Sequence, residues 1–202
     1  KIMEKIILNS LKSAQSYSEY KEMILKLIKE GKSTGENQSD SLYNYTKLNN
    51  QRMKRLDKQT KLSEDALTKA QRIQKDFTWL VLTESWCGDA AQTLPVINKF
   101  AEANKKIDLK VVLRDENEDL MNQFLTNGSK SIPKLIVLDN SSKKVVGSWG
   151  PRSEMASKMV SDYKARHGKI DDQFKLDLQN WYNEDKGSNI EKELVDLIKA
   201  LI

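Results

Sequence analysis

Apolar positions recur along the chain in two rhythms. Tyr17, Tyr20, Met23, Ile24, Leu27 and Ile28 fall three and four residues apart, the stripe of an amphipathic helix. Ser16 and Glu19 stand before it as a capping-box pair, and Gly31 follows as a C-terminal stop. The polar stretch from Gly31 to Asp40 predicts a turn region. Leu42, Tyr45, Met53 and Leu56 predict a second helix, and Ser63 opens a third with Ala66, Leu67, Ala70 and Ile73 on one face. The first 75 residues therefore read as helices.

The rhythm changes at Phe77. Phe77 to Thr83 is a short continuous apolar run of β-branched and aromatic residues, as a buried strand requires. A helical stripe follows with Leu94, Ile97, Phe100 and Ala101, then a strand over Leu109 to Leu113. Asp115 or Asn117 caps a helix carrying Leu120, Met121, Phe124 and Leu125, closed by Asn127-Gly128. Leu135 to Leu138 and Val145 to Trp149 are strands on either side of a polar turn, hence an antiparallel hairpin. Ser153 caps a helix with Met155, Met159 and Tyr163. Beyond Gly168 come a helix carrying Phe174, Leu178, Trp181 and Tyr182, and a last one capped by Ser188 with Glu191. The order β-α-β-α-β-β-α predicts an α/β sandwich with one mixed sheet, its first two strands parallel through a right-handed crossover. Each terminal helix has one apolar stripe to bury, so both extensions should pack on the sheet. The expected division is an N-terminal helical extension over 1–75, an α/β core over 76–167, and C-terminal helices packing on the core over 168–202.

Composition narrows the chemistry. One Cys cannot form an internal disulfide, and one Cys with one His falls short of the roughly four ligands of a zinc site. No metal and no cofactor are expected, and the six Met fall at core spacings. No apolar run approaches the roughly 18 residues of a membrane span. Ile6-Ile7-Leu8 is too short for a secretory signal, Lys1 in place of Met reads as a trimmed start, and a lone thiol in a Lys-rich chain reads as cytoplasmic. Residues 1–75 hold 16 basic and 9 acidic side chains against 18 and 20 in the remainder. The densest basic cluster, Arg52, Lys54, Arg55, Lys58 and Lys61, lacks the aromatic interleaving of a single-strand binder and reads as a solvated helix face. Nucleic acid and membrane are not expected partners.

That leaves Cys87, where the first strand ends and a helix begins. Unpaired backbone N–H groups and the helix dipole stabilise an anion there, and a thiolate so placed can titrate well below the free value of about 8.5. The alternative is a buried, inert thiol. Asp89 reads as a first-turn carboxylate satisfying helix N–H groups, with a proton shuttle or substrate contact as the functional alternative; its charge opposes a nearby thiolate. His167 at a helix end needs no catalytic role. Arg152 and Lys134 are candidates to reach an anionic ligand, with plain solvation as the competing reading.

Trp86-Cys87-Gly88-Asp89-Ala90 resembles the Trp-Cys-Gly-x-Cys signature of thioredoxin. Arg114-Asp115-Glu116-Asn117 after the second strand, Ser131-Ile132-Pro133 before the third and Gly147 in the fourth keep that fold's order over about residues 76–165. The string WCGDAAQ with SIPKLIVLD is similar to a bacterial thioredoxin-like family. The resemblance implies a thioredoxin-like sandwich, a cis Pro133, a backbone at Ile132 able to pair with an extended peptide, and Glu84 as a buried carboxylate. Trp86, Gly88, Asp89, Ala90, Ile132 and Pro133 become the motif and substrate-contact residues around Cys87. The departure is Ala90, where thioredoxin has its resolving Cys. A dithiol reductase is excluded, and a monothiol mechanism, with a protein or small thiol or disulfide as partner, survives. The competing reading is a non-catalytic binding or scaffold protein that kept the fold, motivated by Ala90, Asp89 and the extra helical mass.

Overall fold

Phe77–Thr83 (β1) is buried at every position, because it runs through the middle of the only sheet. The computed structural model describes all 202 residues. Ile107–Leu113 (β2) lies parallel to β1, with Phe77 opposite Ile107 and Thr83 opposite Leu113. Lys134–Asp139 (β3) runs antiparallel on the other side of β1, and Lys144–Trp149 (β4) closes the order β2-β1-β3-β4 as a hairpin partner of β3. Gly88–Ala103 (α5) is the crossover between β1 and β2. The mixed sheet expected from the pattern is therefore the one observed.

Helices cover it. The N-terminal extension forms Ile2–Leu11 (α1), Tyr17–Lys29 (α2), Asp40–Gln59 (α3) and Glu64–Gln71 (α4). Ser16 and Glu19 make the reciprocal capping box that starts α2, and Gly31 adopts φ 71° just beyond its end. Gln15 exchanges two backbone bonds with Val111, at 2.9 and 2.7 Å, and so pairs part of the exposed edge of β2. α3 lies along α5, while α1 and α2 pack beside β2. Glu154–His167 (α7), Asp172–Asp185 (α8) and Ser188–Lys199 (α9) follow β4. α9 packs on β4, where a Cβ on Gly147 would meet Leu197 Cδ1 at 2.8 Å; the strand glycine admits the helix. The largest fully buried side chains, among them Trp79, Tyr20, Phe100, Leu94 and Ile136, come from both sheet and helices, so one core joins them.

Two elements differ from expectation. Glu118–Asn122 (α6) is a five-residue helix that stops before Phe124. The Asn117 amide donates to the Leu113 carbonyl at 2.8 Å rather than capping it, and Asn127 and Gly128 make a left-handed turn further on. At α9 the N-cap position is Gly187, not Ser188, and no side chain caps it. Glu191 instead accepts the Ser63 backbone N–H at 3.0 Å, so a contact with the start of α4 displaces the local capping box.

Candidate functional site

β1 delivers its C-terminal end to a loop, Glu84-Ser85-Trp86-Cys87, that turns directly into α5. Cys87 is the N-cap residue of α5, and the Ala90 N–H donates to its sulfur at 3.4 Å. The Cys87 thiol in turn donates to the Ile132 carbonyl at 3.4 Å, and the Ile132–Pro133 peptide is cis. The structure thus brings Cys87, Gly88, Asp89, Ala90, Ile132 and Pro133 into one site.

The electrostatics run against a ready nucleophile. Cys87 is only 8% exposed. Burial first, and the charge of Asp89 second, push its thiol up to about 12, while the Ala90 N–H and Arg152 pull weakly the other way. A sulfur that donates to Ile132 and accepts from Ala90 is a neutral thiol at rest.

Asp89 does not serve as a helix-capping carboxylate, which corrects the simpler reading of it. Its oxygens take a two-pronged ion pair from Arg152, at 3.1 Å from Nε and 2.9 Å from Nη2, and a hydrogen bond from the Tyr182 hydroxyl. Arg152 is accordingly engaged rather than solvated or free for an anionic ligand. Lys134 is not solvated either. It is buried, and its ammonium donates to Thr126 Oγ1 at 3.1 Å and the Gly150 carbonyl at 3.0 Å. That ties β3 to the loop after β4, and burial holds its pKa below the usual lysine range. Those two loops touch: a Cβ on Gly150 would lie 2.3 Å from the Pro133 carbonyl oxygen, so only glycine, here at φ 113°, fits. Trp86 is half-buried beneath the Arg114 guanidinium, 5.1 Å from its ring. His167 ends α7 with its ring 4.3 Å from that of Tyr163.

The N-terminal helices brace this loop. Thr34 and Ser85 exchange reciprocal bonds at 2.9 Å, Thr46 reaches the Ser85 hydroxyl at 2.8 Å, and Asn49 donates to the Ser85 carbonyl at 3.0 Å. Thr34 also donates to Glu84, which is 1% exposed. Arg52, held by Asn49 at 2.9 Å, points its guanidinium toward Gly88. Glu84 is the buried carboxylate that the resemblance implied, whereas Thr34, Thr46, Asn49 and Arg52 were not legible in the sequence as part of a site, because none sits at a motif spacing from Cys87. Tyr182 had only the signal of a core stripe position, and Gln179, which approaches Gly88, had none.

A family model described as thioredoxin matches residues 35–164. No curated protein matches the chain. Among solved structures, the crystal structure of an HIV epitope-scaffold is 17% identical with a TM-score of 0.57, covering 92% of this chain and 98% of its own. A Pseudomonas aeruginosa protein of unknown function is 19% identical with a TM-score of 0.56, covering 93% of this chain and 99% of its own. Both are similar in fold. With well over half of its length matched, and its sheet order and Cys87 loop as described, the chain belongs to the thioredoxin family.

Proposed function

We propose that the protein is a monothiol exchange protein in which Cys87 is the nucleophile and an external thiol completes the cycle. The observation that carries this reading is the position of the sulfur, at the N-cap of a sixteen-residue helix and 3.4 Å from the carbonyl that precedes Pro133. Once Cys87 is exposed and ionised, the Ala90 N–H and the α5 dipole stabilise its thiolate. The thiolate attacks one sulfur of a disulfide, forms a Cys87 mixed disulfide, and expels the other sulfur as a thiolate that takes up a proton. A low-molecular-weight thiol then attacks the partner sulfur of the mixed disulfide and releases Cys87, so the protein ends in its starting state. Ala90 supplies no second sulfur, which makes the external thiol obligatory. Trp86 offers a flat contact beside the thiol, and the Ile132 backbone an edge for an extended peptide. A reducing cytoplasm suits a lone thiol of this kind.

The second reading, a thioredoxin-fold binding protein without chemistry, is favoured by one observation: the resting thiol is buried and its pKa raised. Mixed-disulfide trapping separates the two. The native chain, added to a lysate of its source cell with a mild oxidant, should form reducible adducts that vanish in Cys87→Ser. Absence of adducts, with Cys87→Ala retaining full function in the cell, would overturn the monothiol reading.

A further inference from the structure

We infer that the cleft between the ends of α3 and α8 binds a small organic anion of the phosphate monoester class, independently of the thiol chemistry. The cleft measures about 370 Å³, within the size range of small-ligand sites. Arg55, Gln59 and Thr60 line it from the end of α3, and Asn183 and Lys186 from the end of α8. Leu56 and Tyr182 form its apolar part. Arg55 and Gln59 also border a second hollow of about 340 Å³, whose other walls are Gln51, Lys54 and Lys58. No carboxylate lines either hollow.

The positive charge around the two hollows is uncompensated. Lys54, Arg55, Lys58 and Lys186 make no ion pair. The acids beside them in sequence are engaged elsewhere. Asp57 accepts from Tyr17 at 2.8 Å and Lys21 at 2.9 Å, and Asp185 accepts from the backbone and side-chain nitrogens of Asn189 at 3.0 and 2.6 Å. The C-terminal ends of α3 and α8 oppose an anion with roughly half a charge each, which the four cations outweigh. Geometry favours a phosphate oxyanion. Arg55 donates one N–H to Asn183 Oδ1 at 2.9 Å, which steadies the guanidinium and leaves its other donors for a ligand. Gln92 donates to the same oxygen at 3.3 Å, so Asn183 is held in turn. A planar fork from one helix and an ammonium from the other suit phosphate oxygens approached from two directions. The Gln59 amide and Thr60 hydroxyl are partners for hydroxyl groups on the organic part of the ester. A nucleic-acid strand would need aromatic faces for its bases, and the hollows offer only Tyr182, which is 3% exposed.

The test is a titration of the full chain with glycerol phosphate, followed by backbone amide chemical shifts. Residues 55–60 and 182–186 should shift together, with a dissociation constant of about 1 mM or tighter. Arg55→Gln and Lys186→Gln, both at exposed positions, should each weaken binding about tenfold. Arg55→Lys keeps the charge without the fork and should weaken it less than Arg55→Gln. Lys144→Gln on β4 removes the same charge outside the cleft and should leave binding unchanged. No shifts at residues 55–60 and 182–186 up to about 10 mM ester, or equal weakening by Lys144→Gln, would overturn the site. Succinate binding as tightly as the ester would overturn the assignment to phosphate. A short single-stranded oligonucleotide that binds more tightly than the ester at physiological salt would assign this face to nucleic acid and overturn the small ligand.

Discussion

Glu84 offers the sharpest quantitative test of how the thiol loop is held. Its carboxyl is buried at the end of β1, with one oxygen accepting from Thr34 at 3.0 Å and the other without a donor. Asp115 stands beside it: a Cβ on Gly35 would lie 3.3 Å from Asp115 Oδ2 and 3.8 Å from Glu84 Oε1, so both carboxyls face one point. Arg114 pairs with Asp115 at 2.9 Å. When Glu84 is protonated, Asp115 is the neighbouring acceptor for the oxygen otherwise left bare. Burial first, then the Asp115 charge, raise the Glu84 pKa from 4.5 to about 7. The folded chain thus holds this proton more tightly than the unfolded chain. The stabilisation is fully present below about pH 4.5 and is lost as pH rises through about 7. Its size, at about 1.4 kcal/mol per pH unit, is about 3 kcal/mol. Urea unfolding should show the native chain less stable at pH 8 than at pH 5 by about that amount. Glu84→Gln, whose amide mimics the protonated acid, should abolish the difference and exceed native stability at pH 8. The carboxylates with lowered pKa, Glu19, Asp139, Asp162 and Asp171, contribute below that window, and Cys87 above it. Equal pH slopes in native and Glu84→Gln proteins would refute the shared proton.

Three further outcomes are expected. Asp89→Asn should lower the Cys87 pKa, read from thiolate ultraviolet absorbance, because it removes the charge that opposes ionisation. Arg152→Ala leaves Asp89 without its cation in a mostly buried setting, and should cost about 2–3 kcal/mol in urea unfolding; a cost below that of a surface ion pair would show that Tyr182 alone holds Asp89. Gly150→Ala should cost at least about 2 kcal/mol, since it places a Cβ at positive φ against the Pro133 carbonyl. It should also disturb the Ile132 carbonyl that accepts from the thiol, so unchanged alkylation of Cys87 in this variant would count against the contact.

The architecture was legible because its information is local and periodic. The apolar run at Phe77–Thr83, the Ser16–Glu19 capping box and the polar turn between β3 and β4 each specify an element from neighbours in sequence. The order of those elements leaves few topologies. Cys87 was legible for the same reason: a strand-to-helix junction places a thiol at a helix N-terminus whatever packs around it. Local signals failed where a distant partner outbid them. Asn117 and Glu191 gave up their capping roles for Leu113 and Ser63, and Lys134 lost its place in solvent to Thr126 and Gly150.

The chain by itself determined that there is one thiol, where it sits in the fold, and that no second thiol can resolve it. Only the tertiary structure decided whether that sulfur is available. Helix dipole and motif position point to an activated thiolate, but they act in a site whose dielectric and charges come from elsewhere. Asp89 adds a negative charge locally, and α8, Arg152, Ile132 and the N-terminal helices close the site from positions far along the chain. Desolvation is a property of all these packed surfaces together, with no period or spacing of its own in the sequence, and at Cys87 it outweighs the dipole.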